Sequence, residues 1–233
     1  MSSILELKNV SKSFGEKQVL KDLNLQIESG KIVGLLGKNG SGKSTLFKLV
    51  NDLLTLTSGE ILIDGKPISV DSKNTISFLP ERTYLDPGLK VSEAIDLFET
   101  FYADFNREKA EQLLIDLELD KNMRLSKMSK GMKEKVQLIL VMSRNAKLYI
   151  LDEPLGGVDP ASRDYILNTI LKNFNKEATL FISTHMIADI EKILDDVVFI
   201  NNGQIVLQGN AQQLKEKENC TIDEMFRRMF YVK

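Results

Sequence analysis

The sequence predicts an α/β fold with a mostly parallel sheet, an antiparallel β-subdomain at the N-terminus and an inserted α-helical subdomain. Three observations support this prediction: strand-like runs in the first third of the chain, helical stripes in the middle, and strands alternating with helical segments in the last third. Such alternation favours a parallel sheet covered on both faces. Because no internal repeat or low-complexity linker interrupts the 233 residues, we treat 1–233 as one domain.

The first third reads as strands joined by turns. Apolar and polar residues alternate over 4–10 and over part of 19–27. Residues 32–36 form an apolar run bounded by glycine, which is typical of a buried strand. A further strand over 61–63 runs into Asp64-Gly65, a pair that predicts a hairpin turn.

The helical pattern begins after the third strand and dominates the middle of the chain. From Gly42 onward a stripe at helical spacing is formed by Leu46, Leu49, Val50 and Leu53. Apolar residues then recur at this spacing over 91–102 and over 110–117, and a third helix is expected over 131–143. Together these predict a helical insert over about 84–145.

The last third returns to strands and ends in a helical tail. Strands are expected at 148–151, 179–183 and 197–200, with helical segments between them. The tail, about 211–233, carries an apolar stripe over 222–230 after a Thr221–Glu224 capping box. Two interpretations of the stripe stay open: packing on its own domain, or contact with a partner chain.

The composition argues against several classes of protein. Hydrophobic residues make up 42%, enough for a sizeable core, and 31 basic residues nearly balance 33 acidic ones, so no nucleic-acid partner is expected. One cysteine, Cys220, excludes an intrachain disulfide and suits a reducing compartment. The N-terminus lacks the apolar core of a signal peptide, and the longest apolar run, 136–142, is far shorter than the roughly 20 residues of a membrane span. A cytosolic protein is expected, unless another chain holds it at a membrane.

A phosphate-binding loop is the most specific motif in the chain. The segment GKNGSGKST matches G-x-x-x-x-G-K-[ST] between a strand pattern and a helix pattern. Its nucleotide-binding residues are Gly37, Lys38, Asn39, Gly40, Ser41, Gly42, Lys43, Ser44 and Thr45. Glycines let backbone N–H groups turn toward phosphates, Lys43 should reach the β- and γ-phosphates, and Ser44 should ligate Mg²⁺. The motif predicts a P-loop NTPase core but does not by itself choose among ATPases, GTPases and kinases.

Two carboxylates follow the strand in KLYILDEP, residues 147–154. They are expected at the carboxyl edge of the sheet, where ligands bind in open α/β folds. Asp152 is predicted to hold Mg²⁺ directly or through water, and Glu153 to polarise the attacking water. His185, the only histidine, follows another strand-like run, TLFIST, and is predicted to contact the γ-phosphate or the water.

These motifs in this order resemble the nucleotide-binding subunit of ABC transporters over about 4–209. Within that resemblance, Phe14 matches the aromatic residue that stacks on adenine, Glu81 takes the place of the Q-loop glutamine and could ligate Mg²⁺, and His185 matches the switch histidine. Asp159 matches the D-loop aspartate. The signature motif corresponds to MSKGM, with nucleotide-binding residues Ser129, Lys130, Gly131 and Met132.

The resemblance implies how such a chain would work. Two ATPase subunits, identical or different, would stack head to tail and sandwich two ATP molecules with Mg²⁺. Each phosphate loop would then face the partner's signature motif. A separate transmembrane permease subunit would dock near the Q-loop and the helical insert. The chain is therefore expected at the cytoplasmic face of the cell membrane as a peripheral subunit.

Three departures from the family pattern affect this interpretation. Lys130 replaces a glycine of the signature and could add charge near the triphosphate or simply point into solvent, and Met132 replaces its glutamine. Glu81 replaces an amide with a carboxylate beside the metal site. Pro-Glu at this position resembles the drug- and peptide-exporting branch, in which ATPase and membrane subunits are separate chains.

Two functions other than that of a transporter subunit are compatible with the phosphate loop. A soluble ABC ATPase of a cytosolic assembly or repair complex would share the same motifs. A small P-loop kinase would share only the phosphate loop and would leave the signature, Asp159 and His185 unexplained.

Overall fold

The computed structural model of the protein describes residues 2–156 and 160–231. The N-terminal third is rich in strands, as expected. Its elements are β1 (Ser3–Phe14), β2 (Lys17–Glu28), β3 (Ile32–Leu36), α1 (Lys43–Val50), β4 (Ser58–Ile63), β5 (Lys66–Pro67), α2 (Ser72–Thr75) and β6 (Ile76–Leu79).

The middle of the chain is helical. Its elements are α3 (Val91–Phe101), α4 (Arg107–Asp116), a short 3-10 helix (Leu125–Lys127) and α5 (Lys130–Met142). Strands and helices alternate again afterwards, as β7 (Leu148–Asp152), α6 (Pro160–Asn173), β8 (Thr179–Thr184), α7 (Ile187–Ile190), β9 (Asp196–Asn201), β10 (Gln204–Asn210), α8 (Ala211–Glu218) and α9 (Ile222–Phe230).

The strands form two sheets. A four-stranded antiparallel sheet has the order β2-β1-β4-β5, and a six-stranded sheet has the order β10-β9-β3-β8-β7-β6. The larger sheet is parallel except for β10, which pairs antiparallel with β9. The predicted fold class, with its antiparallel N-terminal part and its helical insert, is confirmed.

The central strands are mostly apolar because both of their faces are buried. Successive side chains of a strand point to opposite faces. Leu35, Ile150 and Phe181 accordingly lie in the core between the sheets and α1. Their neighbours Leu36, Leu151 and Ile182 lie in the core formed with the helices. In the described part of the chain, no helix combines the length and the apolar character that a membrane span requires.

The first helix is shorter than its stripe predicts. It ends at Val50, and Leu53, which we expected on its apolar face, is exposed. The side chain of Asn51 donates to the Phe47 carbonyl, and Asp52 adopts a left-handed backbone with φ of 55°. The turn formed by these two polar residues outweighs the helical spacing of one leucine.

Candidate functional site

The phosphate loop, the two carboxylates and His185 meet at one edge of the larger sheet. Strands β3, β7 and β8 are parallel neighbours, with Leu36 opposite Thr184 and Asp152 opposite Ser183. The glycine-rich loop follows β3, the carboxylates end β7, and His185 follows β8. Because parallel strands end at the same edge, motifs more than a hundred residues apart lie together.

The loop before α1 has room only for glycine at two positions. A Cβ on Gly42 would lie 2.5 Å from Leu20 Cδ2, and the φ of 112° at Gly42 disfavours any other residue. A Cβ on Gly37 would lie 2.5 Å from the Ile200 carbonyl oxygen. The loop therefore lies close against β2 and β9 before it enters α1. The N-terminus of α1 favours an anion at this point.

Lys43 is buried at the start of α1 and lies at the centre of the site. Its Nζ donates to the Gly37 carbonyl at 2.8 Å and to the Lys38 carbonyl at 3.4 Å. The same ammonium lies 3.3 Å from Glu153 Oε1. The positive charge of the loop is thus partly balanced by the predicted catalytic carboxylate.

Glu153 connects Lys43 with His185. Its Oε2 lies 2.8 Å from His185 Nδ1, and the His185 backbone N–H donates to the same oxygen at 3.3 Å. Glu153 also has a left-handed backbone, with φ of 51°. That conformation is uncommon outside glycine and is found at functional sites.

Asp152 is buried beside hydroxyl groups. Ser183 Oγ donates to its Oδ1 at 2.6 Å, and Ser44 is a second hydrogen-bond partner. Burial raises the pKa of the Asp152 carboxyl, while the hydrogen bonds from Ser183 and Ser44 lower it. Ser44 and Asp152 supply the oxygen donors that Mg²⁺ prefers.

The residues fit a Mg²⁺ ion that protein and nucleotide hold jointly, rather than one held by protein ligands alone. Within 2–156 and 160–231 no group of three or more His, Cys, Asp and Glu side chains could hold a metal. Mg²⁺ usually binds through one or two protein ligands, with substrate phosphates and water completing its shell. A buried carboxylate next to a phosphate loop meets that requirement.

Ser183 is a site residue that the sequence reasoning missed. Besides its bond to Asp152, it accepts the Glu153 backbone N–H at its Oγ and at its carbonyl, both at 3.1 Å. It therefore holds the carboxylate of Asp152 and the backbone of Glu153. Its only signal in the sequence was its place two residues before His185, at the end of a strand.

A cleft of 840 Å³ extends from the loop to the helical insert. Its lining comprises the loop residues Asn39, Gly40 and Lys43, the residues Glu153, Gly156 and His185 that follow β7 and β8, and Glu81, Arg82, Thr83, Lys130, Lys133 and Glu134. Its volume lies within the usual range of ligand pockets.

The predicted signature residues begin α5. Ser129 is the N-cap residue, and its Oγ accepts the Met132 backbone N–H at 3.3 Å. Lys130 is 77% exposed and lies 3.7 Å from Glu134 of the next turn. Its side chain lies at the rim of the cleft, and its contact with nucleotide stays a prediction. The open N-terminus of α5, with Gly131, is suited to an anion.

Of the remaining predicted site residues, Glu81 and Phe14 take no part in the contacts described above. Glu81 is exposed and lines the cleft, as well as a second cavity of 660 Å³ that it shares with Ser44 and Asp152. Phe14 is half exposed at the end of β1, with Lys12 Nζ 4.8 Å from its ring centroid. Asp159 lies outside the described residues.

Comparison with known proteins gives one consistent result. Residues 20–156 match the family model described as ABC transporter. The chain is 30% identical to the uncharacterized ABC transporter ATP-binding protein YhaQ of Bacillus subtilis, over 94% of this chain and 76% of that one. It is 29% identical to the SkfA peptide export ATP-binding protein SkfE of the same organism, over 92% of each chain. A solved structure described as an ATP-binding subunit of an ABC transporter superposes with a TM-score of 0.86 at 28% identity, over 97% of this chain and 99% of that one.

Proposed function

This chain belongs to the ABC transporter family and is an ATPase of that family, and from this premise we propose that it drives export through a separate membrane-spanning subunit. The observation that best supports ATP binding and hydrolysis at this site is the pairing of Lys43 with Glu153. The ammonium that would bind phosphate and the carboxylate that would activate water lie 3.3 Å apart. Binding and hydrolysis are therefore coupled through one contact.

Nucleotide binding would change the partners of Lys43. Its ammonium is held by two loop carbonyls and by Glu153, so an incoming triphosphate competes with that carboxylate. Once the phosphate takes the ammonium, Glu153 keeps its contact with His185. The carboxylate is then free to accept a proton from water, which is the role of a general base.

Ser44 and Asp152 would hold Mg²⁺, with Glu81 as a further candidate at the rim. When bound, the ion neutralises charge on the phosphates during transfer. Ser183 keeps the Asp152 oxygen oriented. His185, whose Nδ1 faces Glu153, would support the carboxylate and the γ-phosphate.

A complete site would need a second ATPase subunit. The N-terminus of α5 at Ser129 and Gly131 would cap the γ-phosphate bound by the other subunit. Phosphates bridging two chains favour the closed dimer over the open one, which gives a ligand-driven switch its free energy.

The membrane subunit would dock in the 660 Å³ cavity beside Glu81. Aromatic and basic side chains line it, among them Tyr84, Phe98, Tyr102 and Arg82. Such a groove suits a short helix carrying apolar and acidic side chains. The Pro80-Glu81 pair and the name of the SkfE relative support export as the direction.

Two measurements test this function. Purified protein should bind MgATP and hydrolyse it, and Lys43→Ala should weaken binding because the phosphates lose their buried cation. Equal MgATP affinity of wild type and variant would contradict the site.

The transport role is tested by recovery with membranes. The chain should sediment with membranes only when its integral membrane partner is co-expressed, and Tyr84→Glu should reduce that recovery while MgATP binding is kept. Co-purification with a soluble complex instead would support a cytosolic ATPase.

A further inference from the structure

We propose that the end of α9 and Tyr231 hold the phosphate loop in its binding conformation through the side chain of Lys38. This positioning role rests on the proposed function, since it concerns the loop that would bind ATP. It also reassigns Lys38 from a phosphate contact, as expected from the motif, to a structural link between the loop and the tail.

Lys38 is bound by the tail in two ways. Its Nζ donates to the Phe230 carbonyl, and it lies over the Tyr231 ring, 4.0 Å from the centroid. The last carbonyls of a helix carry partial negative charge and no helical partner, so a cation is favoured there. The face of the tyrosine ring attracts the same charge. Both groups hold the ammonium at the tail.

The backbone of the same residue organises the loop. The Lys38 carbonyl accepts the Ser41 N–H at 3.1 Å and the Lys43 ammonium at 3.4 Å. One residue therefore connects the tail, through its side chain, with the principal phosphate-binding cation, through its carbonyl. Releasing the side chain frees the carbonyl that helps to orient Lys43.

Helix α9 is packed on the core, and the tail can position Lys38 only if it is itself held in place. Phe226 and Phe230 contact each other at 4.5 Å between centroids, and both pack on Phe199 at 5.8 and 6.1 Å. Phe199 pairs with Leu36, the residue directly before the loop. At the other end of the helix, the Glu191 carboxylate accepts the Asp223 N–H at 3.2 Å.

The stripe on α9 thus packs on its own domain, as one of the two sequence interpretations held. Tyr231 directly follows the stripe, as the C-cap residue of α9. It is 65% exposed, and its ring contacts Phe226 at 6.1 Å between centroids on one side and the Lys38 ammonium on the other. A substitution there can be expected to leave the fold intact.

The experiment compares Tyr231→Ala with Tyr231→Phe, which keeps the ring face. Tyr231→Ala should weaken MgATP binding about three- to tenfold, the factor expected for loss of an exposed to partly desolvated cation–π contact. It should raise KM with kcat unchanged, because only the ordering of the loop before binding is lost. Tyr231→Phe should match wild type, and all three proteins should have the same Tm.

A cycle with Lys38→Met assigns the effect to this link. If the link exists, the double variant binds MgATP no more weakly than Lys38→Met alone. Additive effects, or a Tyr231→Ala protein with wild-type affinity, would overturn the proposal.

Amide hydrogen exchange of nucleotide-free protein over 37–42 separates this proposal from the function. Tyr231→Ala should exchange faster there, whether or not ATP is the ligand. Unchanged exchange over 37–42 would overturn the positioning role even in an active ATPase. Faster exchange in a protein that binds no ATP would leave the link in place and remove the proposed function.

Discussion

The most consequential side chain of the site is Glu153, because its two oxygens face opposite partners. One lies near the Lys43 ammonium and the other near the His185 ring. A carboxylate in this place neutralises the phosphate-binding cation while the site is open. The same group would serve as the base once phosphate displaces it.

Glu153→Gln should separate these two roles. The amide keeps the shape but lacks the charge and the basicity, so hydrolysis should fall by about 10²- to 10⁴-fold. MgATP affinity should rise, because Lys43 no longer has an anionic competitor. Single-turnover hydrolysis and equilibrium binding measure the two effects, with the exposed Glu108→Gln as the charge control. Wild-type turnover in Glu153→Gln would remove the residue from its role.

Ser183 offers a second test at the residue scale, since it holds Asp152 and the Glu153 backbone. Ser183→Ala should raise the Mg²⁺ concentration needed for half-maximal hydrolysis about tenfold, because Asp152 loses an orienting hydrogen bond worth about 1–2 kcal/mol. A Mg²⁺ titration of steady-state hydrolysis measures it.

The matched control is Ser77→Ala. Ser77 is also buried, and its Oγ donates to the Val141 carbonyl rather than to a carboxylate. Both variants should lose similar stability, but only Ser183→Ala should change the Mg²⁺ dependence. An identical shift in the two proteins would reduce Ser183 to a packing role.

At the scale of elements, one arginine joins the helical insert to the sheet. Arg144 is buried directly after α5 and donates to the Ile76 carbonyl at 2.6 Å and the Asn74 carbonyl at 3.1 Å. It also pairs with Asp104 at 3.0 Å and lies 3.8 Å from the Tyr102 ring centroid. These contacts tie the α3–α4 connection to α2 and β6.

Arg144→Met should therefore lower the free energy of unfolding by about 3 kcal/mol, because it leaves Asp104 and two carbonyls without their buried donor. Urea denaturation measures the loss. The control is Lys147→Ala, which removes an exposed ion pair with Asp64 of 2.7 Å and should cost no more than about 1 kcal/mol. Equal effects of the two substitutions would show that burial does not set the strength of this link.

At the scale of the whole molecule, the chain carries both halves of a site that two copies would complete. The loop residue Lys43 lines the cleft together with Lys130, which follows the N-cap residue Ser129 of α5. In a head-to-tail dimer, each loop would use the signature of the other subunit. Such an arrangement would make activity a property of the pair.

Mixing two inactive variants tests that arrangement. Lys43→Ala removes the loop cation and Ser129→Arg blocks the signature, so each homodimer should be inactive. A heterodimer of the two would retain one intact composite site, so an equimolar mixture should recover up to about a quarter of wild-type hydrolysis. ATPase assays on the mixture and on each variant alone measure it. No recovery in a mixture shown to form heterodimers would place both halves of the site in one chain.

The fold class and the family could be inferred from the sequence because their signals are local. The phosphate loop is nine adjacent residues, and KLYILDEP is eight, so each motif reports its own strand and turn without knowledge of its neighbours. Apolar periodicity predicted most central strands and helices for the same reason. It predicted too long a helix α1, reaching Leu53, because the spacing of apolar residues does not reveal the turn that Asn51 and Asp52 form.

What only the tertiary structure decided is which distant groups meet. The contacts of Glu153 with Lys43 and His185, of Ser183 with Asp152, and of Lys38 with Tyr231 join residues from separate motifs. The sequence by itself determined the chemical groups and the turns that carry them. Their partners depended on strand order and on the packing of α9, which arise from burial of apolar faces across the whole chain.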